Sequence, residues 1–158
     1  MYGIETIEAQ LEICTLKARN LRFLDTKQWA GYAAMLTEDF VLDMGQSAVP
    51  PIHGRDAAVL QTSRSLEGVT SVHQAHQPEF ELKGDVALVT WAMHDRIVRG
   101  PGQPSITIYG YHRDRWVRRG GEWKLAELRL SMLQVDIQPD QSSHEKNPKR
   151  NEESRRSK

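Results

Sequence analysis

The sequence predicts a single α+β domain in which three N-terminal helices pack on a curved antiparallel sheet around an apolar pocket. Three observations carry this. Apolar residues recur at helical spacing through the first part of the chain. Four long segments rich in β-branched and aromatic residues follow, separated by short glycine-containing turns. The 158 residues, 39% of them hydrophobic, suit one core, and helices first with hairpins afterwards place the helices on one face of the sheet.

The elements read in order. From Ile4 to Phe23, the residues Ile4, Ile7, Leu11, Cys14, Leu16, Leu21 and Leu24 mostly keep the three- and four-residue steps of one buried helical stripe. Asp25 and Thr26 can cap a second helix, with Gln28 completing a box-like signal before Trp29, Tyr32, Ala33 and Leu36. Phe40 to Met44 reads as a short strand, Pro50 and Pro51 break the chain, and Arg55 to Leu66 reads as a third helix. Then the period changes. Val69 to Leu82, Val86 to Val98, Ser105 to Val117 and Trp123 to Ile137 read as strands, and the turns Lys83-Gly84-Asp85, Gly100-Pro101-Gly102 and Gly120-Gly121 make them antiparallel hairpins. In the last strand Trp123, Leu125 and Arg129 share one face while Ala126, Leu128, Leu130 and Met132 share the other, so both faces carry apolar groups. One face then packs on the helices and the other meets a second subunit or sheet. Residues 138–158 read QPDQSSHEKNPKRNEESRRSK, with little to bury, and are expected to form a disordered charged tail beyond a domain at 1–137.

Composition narrows the function. Lysine plus arginine total 21 and aspartate plus glutamate total 21, a balance that argues against nucleic-acid and membrane-surface partners. Cys14 is the only cysteine, so no internal disulfide forms and a cytoplasmic location is expected. No signal peptide is evident at the start, and no apolar run reaches the roughly 20 residues that span a bilayer. Nothing points to a cofactor: Gly100-Pro101-Gly102 lacks the glycine spacing and following helix of a phosphate loop. His73 and His76, three apart on a strand, point to opposite faces and cannot readily share a metal ion, and the adjacent His94 and Asp95 diverge likewise. His53 lies in a proline-flanked loop, and the run Arg113, Arg115, Arg118 and Arg119 reads as a solvated sheet face or subunit contact. Trp29, Trp91, Trp116 and Trp123, with Phe40 and Phe80, supply core, and some of them could wall a pocket for a ring-containing ligand.

The segments ARNLRFLDTKQWAGYAAMLTEDFVLD, SVHQAHQPEFEL and YHRDRWVRRGGEWKLAELRL, in that order, resemble the SnoaL-like branch of the nuclear transport factor 2-like superfamily over about residues 5 to 137. The resemblance implies a cone-shaped fold, a cystatin-like roll whose bent sheet and three helices close a pocket. It also implies a range of activities, including scytalone dehydratase, hexachlorocyclohexane dehydrochlorinase, ketosteroid isomerase and polyketide cyclases, beside noncatalytic members, so that fold alone does not fix function. The dehydratase and dehydrochlorinase members use a histidine held by an aspartate, and the matching positions are His73 and Asp25. An arginine on the last strand of the dehydrochlorinase matches Arg129. Where those relatives carry a lysine or tyrosine five residues before the aspartate, this chain has Asn20.

These residue types suit proton abstraction from carbon. An imidazole of reference pKa about 6.5 accepts a proton at neutral pH, and a neighbouring carboxylate fixes its tautomer and stabilises the imidazolium. Arg129, always charged, could stabilise a departing group or an enolate oxygen if it faces the pocket. Asn20 forms hydrogen bonds but is no acid near pH 7. Tyr109 and Tyr111, on one strand face, are candidate substitutes, and Asn20, Leu21 and Trp29 are candidate substrate contacts. Each candidate also has a plainer role: Asp25 as a helix N-cap worth about 1 kcal/mol, His73 as a buried strand histidine bonded to a backbone carbonyl, and Arg129 as half of a buried ion pair with Asp25 or Glu127. The expectation is a cofactor-independent lyase or isomerase acting on a small hydrophobic, cyclic molecule. The alternatives are a noncatalytic binding or assembly module of the same fold, motivated by Asn20, and polyketide-cyclase or epoxide-hydrolase chemistry, which would need paired carboxylates or a bound water. A homo-oligomer is expected from the last strand and from family habit, a trimer first and a dimer second.

Overall fold

The structure, a computed structural model, describes residues 3–45 and 49–139, so the expected tail lies outside the described residues from position 140 onward. Three helices, α1 (Ile4–Asp25), α2 (Trp29–Ala34) and α3 (Arg55–Ser65), lead to four long strands, β3 (Thr70–Lys83), β4 (Val86–Val98), β5 (Ser105–Arg119) and β6 (Glu122–Gln138). Two shorter strands lie among the helices, β1 (Leu36–Asp43) and β2 (Ile52–His53), the latter falling in the segment read as a loop. Together the strands form one curved, unclosed six-stranded sheet in the order β2-β1-β6-β5-β4-β3. No helix among the described residues is long and apolar enough to cross a membrane.

The three long hairpins are antiparallel, but β1 runs parallel to β6, which makes the sheet mixed. Short turns oblige successive strands to run in opposite directions. β1 and β6 are joined only through α3 and all the hairpins, so no such turn constrains them.

Two apolar patterns resolve differently from their linear reading. The buried face of α1 is Ala9, Ile13, Lys17, Asn20, Leu21 and Leu24, while Ile4, Ile7 and Leu11 are exposed. The stripe is rotated because a lysine occupies its centre, and hydropathy alone assigns lysine to solvent. In β6, Trp116 faces Leu125 whereas Arg115 faces Glu127, so Ala126 is an extra residue in a β-bulge. Beyond it Leu128 returns to the side of Leu125. The apparent two-faced pattern of the last strand is one apolar face read through a bulge.

The register lines up rows across β3 to β6 on the helix-facing side. Ser71, Ile97, Ile106 and Ile137 form one; His73, Asp95, Ile108 and Val135 the next; then Ala75, Met93, Gly110 and Met132. Deeper rows carry Trp91, His112 and Leu130, then Val89, Asp114 and Leu128. A second irregularity falls beside Gly110, where strands approach so closely that a Cβ would lie 2.1 Å from the Ser131 carbonyl oxygen. The deep rows join α1, Tyr32, Phe40 and Trp116 in the core, while Val135 and Ile137 at the other end stay exposed.

Candidate active site

α1 ends where the site begins. Its last turn closes as a Schellman motif, with the Gln28 N–H donating to the Phe23 carbonyl (2.9 Å) and the Lys27 N–H to the Leu24 carbonyl (3.2 Å). Lys27 takes the left-handed conformation this motif requires, at φ 58°. Glycine usually fills that position, and a side chain there costs about 1–3 kcal/mol. Asp25 therefore belongs to the final helical turn and caps nothing: the residue preceding α2 is Gln28, which makes no side-chain cap bond. A carboxylate at a helix C-terminus meets the negative end of the dipole, so helix stability does not explain it.

Every bond of the Asp25 carboxylate goes to β3. Oδ1 accepts from His73 Nδ1 (2.6 Å) and from the Ser71 hydroxyl (3.0 Å), and Oδ2 accepts from the His73 backbone N–H (3.0 Å). Burial pushes the Asp25 carboxyl up, but the side-chain and backbone hydrogen bonds from His73, the charge His73 gains when protonated, and Ser71 together bring it below the ordinary carboxylate value. Since a carboxylate only accepts, His73 Nδ1 carries the proton and the lone pair lies on Nε2, which bonds no described residue. The plainer reading of His73 as a histidine on a backbone carbonyl is not what the geometry shows. Side-chain exposures of 13% for His73 and 22% for Asp25 leave the pair reachable. On the same sheet face, half-buried Ile108 and exposed Val135 share its row beyond Asp95, and half-buried Ile97 and Ile106 with exposed Ile137 fill the next row out.

On its outer side the pair meets Lys27, whose ammonium donates to the Ser71 hydroxyl (2.8 Å). Burial draws the Lys27 pKa down and the Asp25 charge pulls it partly back. Lys27 and Trp29 also line a cleft of about 500 Å³ completed by the end of α3 and the start of β3, with Arg64, Glu67 and Leu66 among its walls.

A second polar centre, unforeseen in the sequence, lies deeper. Lys17 Nζ contacts Asp114 Oδ2 (2.9 Å) and donates to His112 Nδ1 (2.9 Å). Asp114 Oδ2 also accepts from the indoles of Trp91 (2.9 Å) and Trp116 (3.1 Å). His112 Nε2 stands 3.5 Å from Asp95 Oδ2, and Asp95 Oδ1 accepts from the Gln74 N–H (3.3 Å). Burial first, then the Lys17 charge, lowers the His112 pKa against the pull of Asp95 and Asp114, so the ring is neutral at pH 7. Its sequence signal was Lys17 itself, four residues from both Ile13 and Leu21. Asn20, one turn from Lys17, is buried with neither amide atom hydrogen-bonded among the described residues.

The remaining candidates scatter. Arg129 lies on the outer sheet face, 61% exposed, paired with Asp43 (3.2 Å), because the Ala126 bulge turns Leu128 and Leu130 inward in its place. Neither the expected buried pair with Asp25 or Glu127 nor the pocket role matches this placement. Tyr109 and Tyr111 alternate with the inward His112 and also point outward, Tyr109 stacked on His94 at 4.8 Å between centroids. Leu21 is core, and Trp29, half-buried, packs against the core and lines the outer cleft.

A bent sheet closed by three helices, with a histidine–aspartate pair at its open end, defines an α+β cone with a candidate acid–base site. The chain belongs to the SnoaL-like domain family, which matches residues 5–129. No curated protein matches it. Similar solved structures include a point variant of Rv3472, a protein of unknown function from Mycobacterium tuberculosis (26% identity, TM-score 0.70, covering 81% of this chain and 73% of that one). Another is the hexachlorocyclohexane dehydrochlorinase LinA-type3 from Novosphingobium barchaimii LL02 (17% identity, TM-score 0.73, 85% and 92% covered). A third is ActVI-ORFA from Streptomyces coelicolor (19% identity, TM-score 0.64, 80% and 98% covered). At these identities the dehydrochlorinase and ActVI-ORFA show shared fold.

Proposed function

We propose that this chain is a cytoplasmic, cofactor-independent lyase or isomerase that removes a carbon-bound proton from a small hydrophobic, cyclic molecule, with His73 as base and Asp25 as its orienting partner. The 2.6 Å contact between His73 Nδ1 and Asp25 carries the reading, because it leaves Nε2 with an unbonded lone pair on the sheet face whose outer rows carry Ile97, Ile106 and Ile108. Abstraction places the proton on Nε2, and Asp25 offsets the imidazolium charge. Either a leaving group then departs with its bonding electrons, or the double bond shifts and the proton returns at another carbon. Arg129 takes no part in this scheme.

The test is turnover of hexachlorocyclohexane, read as chloride release, and of scytalone, read as dehydration, by the native chain and by His73→Ala. Activity in the native chain that falls by about 10²–10⁴-fold in the variant supports the base. Equal activity in both rejects His73 as the base, and no activity in the native chain toward either compound favours a noncatalytic binding module, the reading that Asn20 supports. A homo-oligomer, a trimer or else a dimer, completes the proposal, with exposed Leu133, Val135 and Ile137 at the end of β6 as its contact; light scattering that gives a monomer at micromolar concentration rejects it.

A further inference from the structure

We propose that Lys27 and Ser71 are positioning residues for the Asp25–His73 pair, forming a bridge that locks the carboxylate and places a fixed positive charge beside it. This rests on the reading of that pair as a base and its orienter, and it adds two residues outside the acid–base chemistry itself.

The bridge has one direction. An ammonium only donates and a carboxylate only accepts, so the Ser71 hydroxyl, accepting from Lys27 at 2.8 Å, must give its single proton to Asp25 at 3.0 Å. Ser71 is 4% exposed, so the hydroxyl cannot exchange freely with water, and a donor polarised by a cation makes the stronger bond to its acceptor. Asp25 then holds three protein donors in all, which fixes its rotamer.

The backbone supplies an independent sign. Lys27 occupies the left-handed position of the Schellman motif, and the motif uses only its N–H. Glycine would close the helix with less strain, so a lysine there is explained by what its side chain reaches. Two residues upstream stands Asp25, and across the turn stands Ser71.

The charge has a calculable consequence. A cation three hydrogen bonds from His73, relayed through Ser71 and Asp25, raises the cost of placing a further positive charge on the ring. The other charged groups near the pair are Asp95, opposite on β4, with His112 and Lys17 behind it, and Arg64 and Glu67 across the cleft. β6 contributes apolar Val135 to that row. None of these is altered when Lys27 is replaced.

The experiment follows the His73 imidazole by ¹H–¹⁵N NMR across pH in the full chain, without substrate, so its failure is separable from failure of the catalytic reading. Lys27→Met and Lys27→Gly are expected to raise the His73 pKa by a few tenths to about one unit, as loss of one nearby charge requires. Lys27→Arg keeps the native value. Ser71→Ala raises it in the same direction. Lys27→Gly distinguishes position from chemistry, because it is expected to be at least as stable as the native chain while its titration shifts. An unchanged His73 titration in Lys27→Met and Lys27→Gly overturns the proposal, as does a shift of equal size in Lys27→Arg.

Discussion

The two polar centres of this cone use similar side chains to opposite ends. At the open end, Asp25 and His73 retain 22% and 13% of their side-chain exposure, and one imidazole nitrogen is unbonded. In the interior, Lys17 and Asp114 retain 2% and 0%, and the ammonium, the carboxylate and two indoles bond one another. A sealed charge survives only when it is fully paired, and once paired it has nothing left to offer a substrate. A reactive base must keep one partner place open. His112 Nε2 is likewise without a hydrogen bond, but it is buried and, with Nδ1 accepting from Lys17, it carries the ring proton, so the centres differ in access and in where an imidazole lone pair stays free.

Replacing Asp25 with asparagine is expected to break the open centre most severely. The amide presents an N–H or a carbonyl to Nδ1 without the charge that stabilises imidazolium, so turnover falls by about 10²–10⁴-fold. Stability falls by no more than about 2 kcal/mol, because an amide oxygen still accepts from the His73 backbone. Steady-state rates alongside urea denaturation separate the two effects.

The corresponding cut at the sealed centre reverses the pattern. Lys17→Met leaves the buried Asp114 carboxylate with indole donors alone and is expected to cost about 3–5 kcal/mol. Adding Asp114→Asn should recover part of that loss, since the uncompensated charge is then gone. Turnover per folded molecule stays near native in both. A folded but inert Lys17→Met protein would instead bring the second centre into the chemistry.

Acid separates the centres by window. The folded His112 pKa lies below its unfolded value, so the unfolded chain binds a proton that the folded chain refuses. Stability is therefore full above about pH 6.5 and declines as pH falls from there toward the folded value. The folded Asp25 pKa is also depressed, but its contribution is lost only as pH drops below about 3.9. Urea midpoints between pH 5 and 8 should decline toward acid in the native chain and flatten in His112→Gln.

The strands were legible because turn glycines and β-branched runs are local signals, and Asp25 with His73 was legible through a motif pair whose spacing the fold preserves. What failed was facing. Reading β6 by alternation ignored Ala126, and one inserted residue reverses every assignment beyond it, so Arg129 was set on one face with Trp123 and Leu125, while its pocket role came from the resemblance alone. Tyr109 and Tyr111 shared a face as expected, but only the register against β4 and the contact between His112 and α1 tell which face it is. Lys17 was missed because its partner Asp114 lies 97 positions away, and a buried charge is recognisable only with its counter-charge in view.

The smallest expected effect tests that lesson about facing. Arg129→Ala removes one half of an exposed pair with Asp43, where solvent screens the charges and holding a long side chain in one geometry offsets much of the attraction, so stability changes by about 1 kcal/mol or less. Turnover is expected to be native, because the guanidinium stands on the opposite side of the sheet from His73 Nε2. Loss of activity with the fold intact would require Arg129 to reach the helix-facing side, and hence the bulge at Ala126 to be absent from the working protein. Leu128→Arg, on the inward neighbour of that position, would then be tolerated, whereas the bulge predicts that it unfolds the chain by placing an unpaired charge in the core.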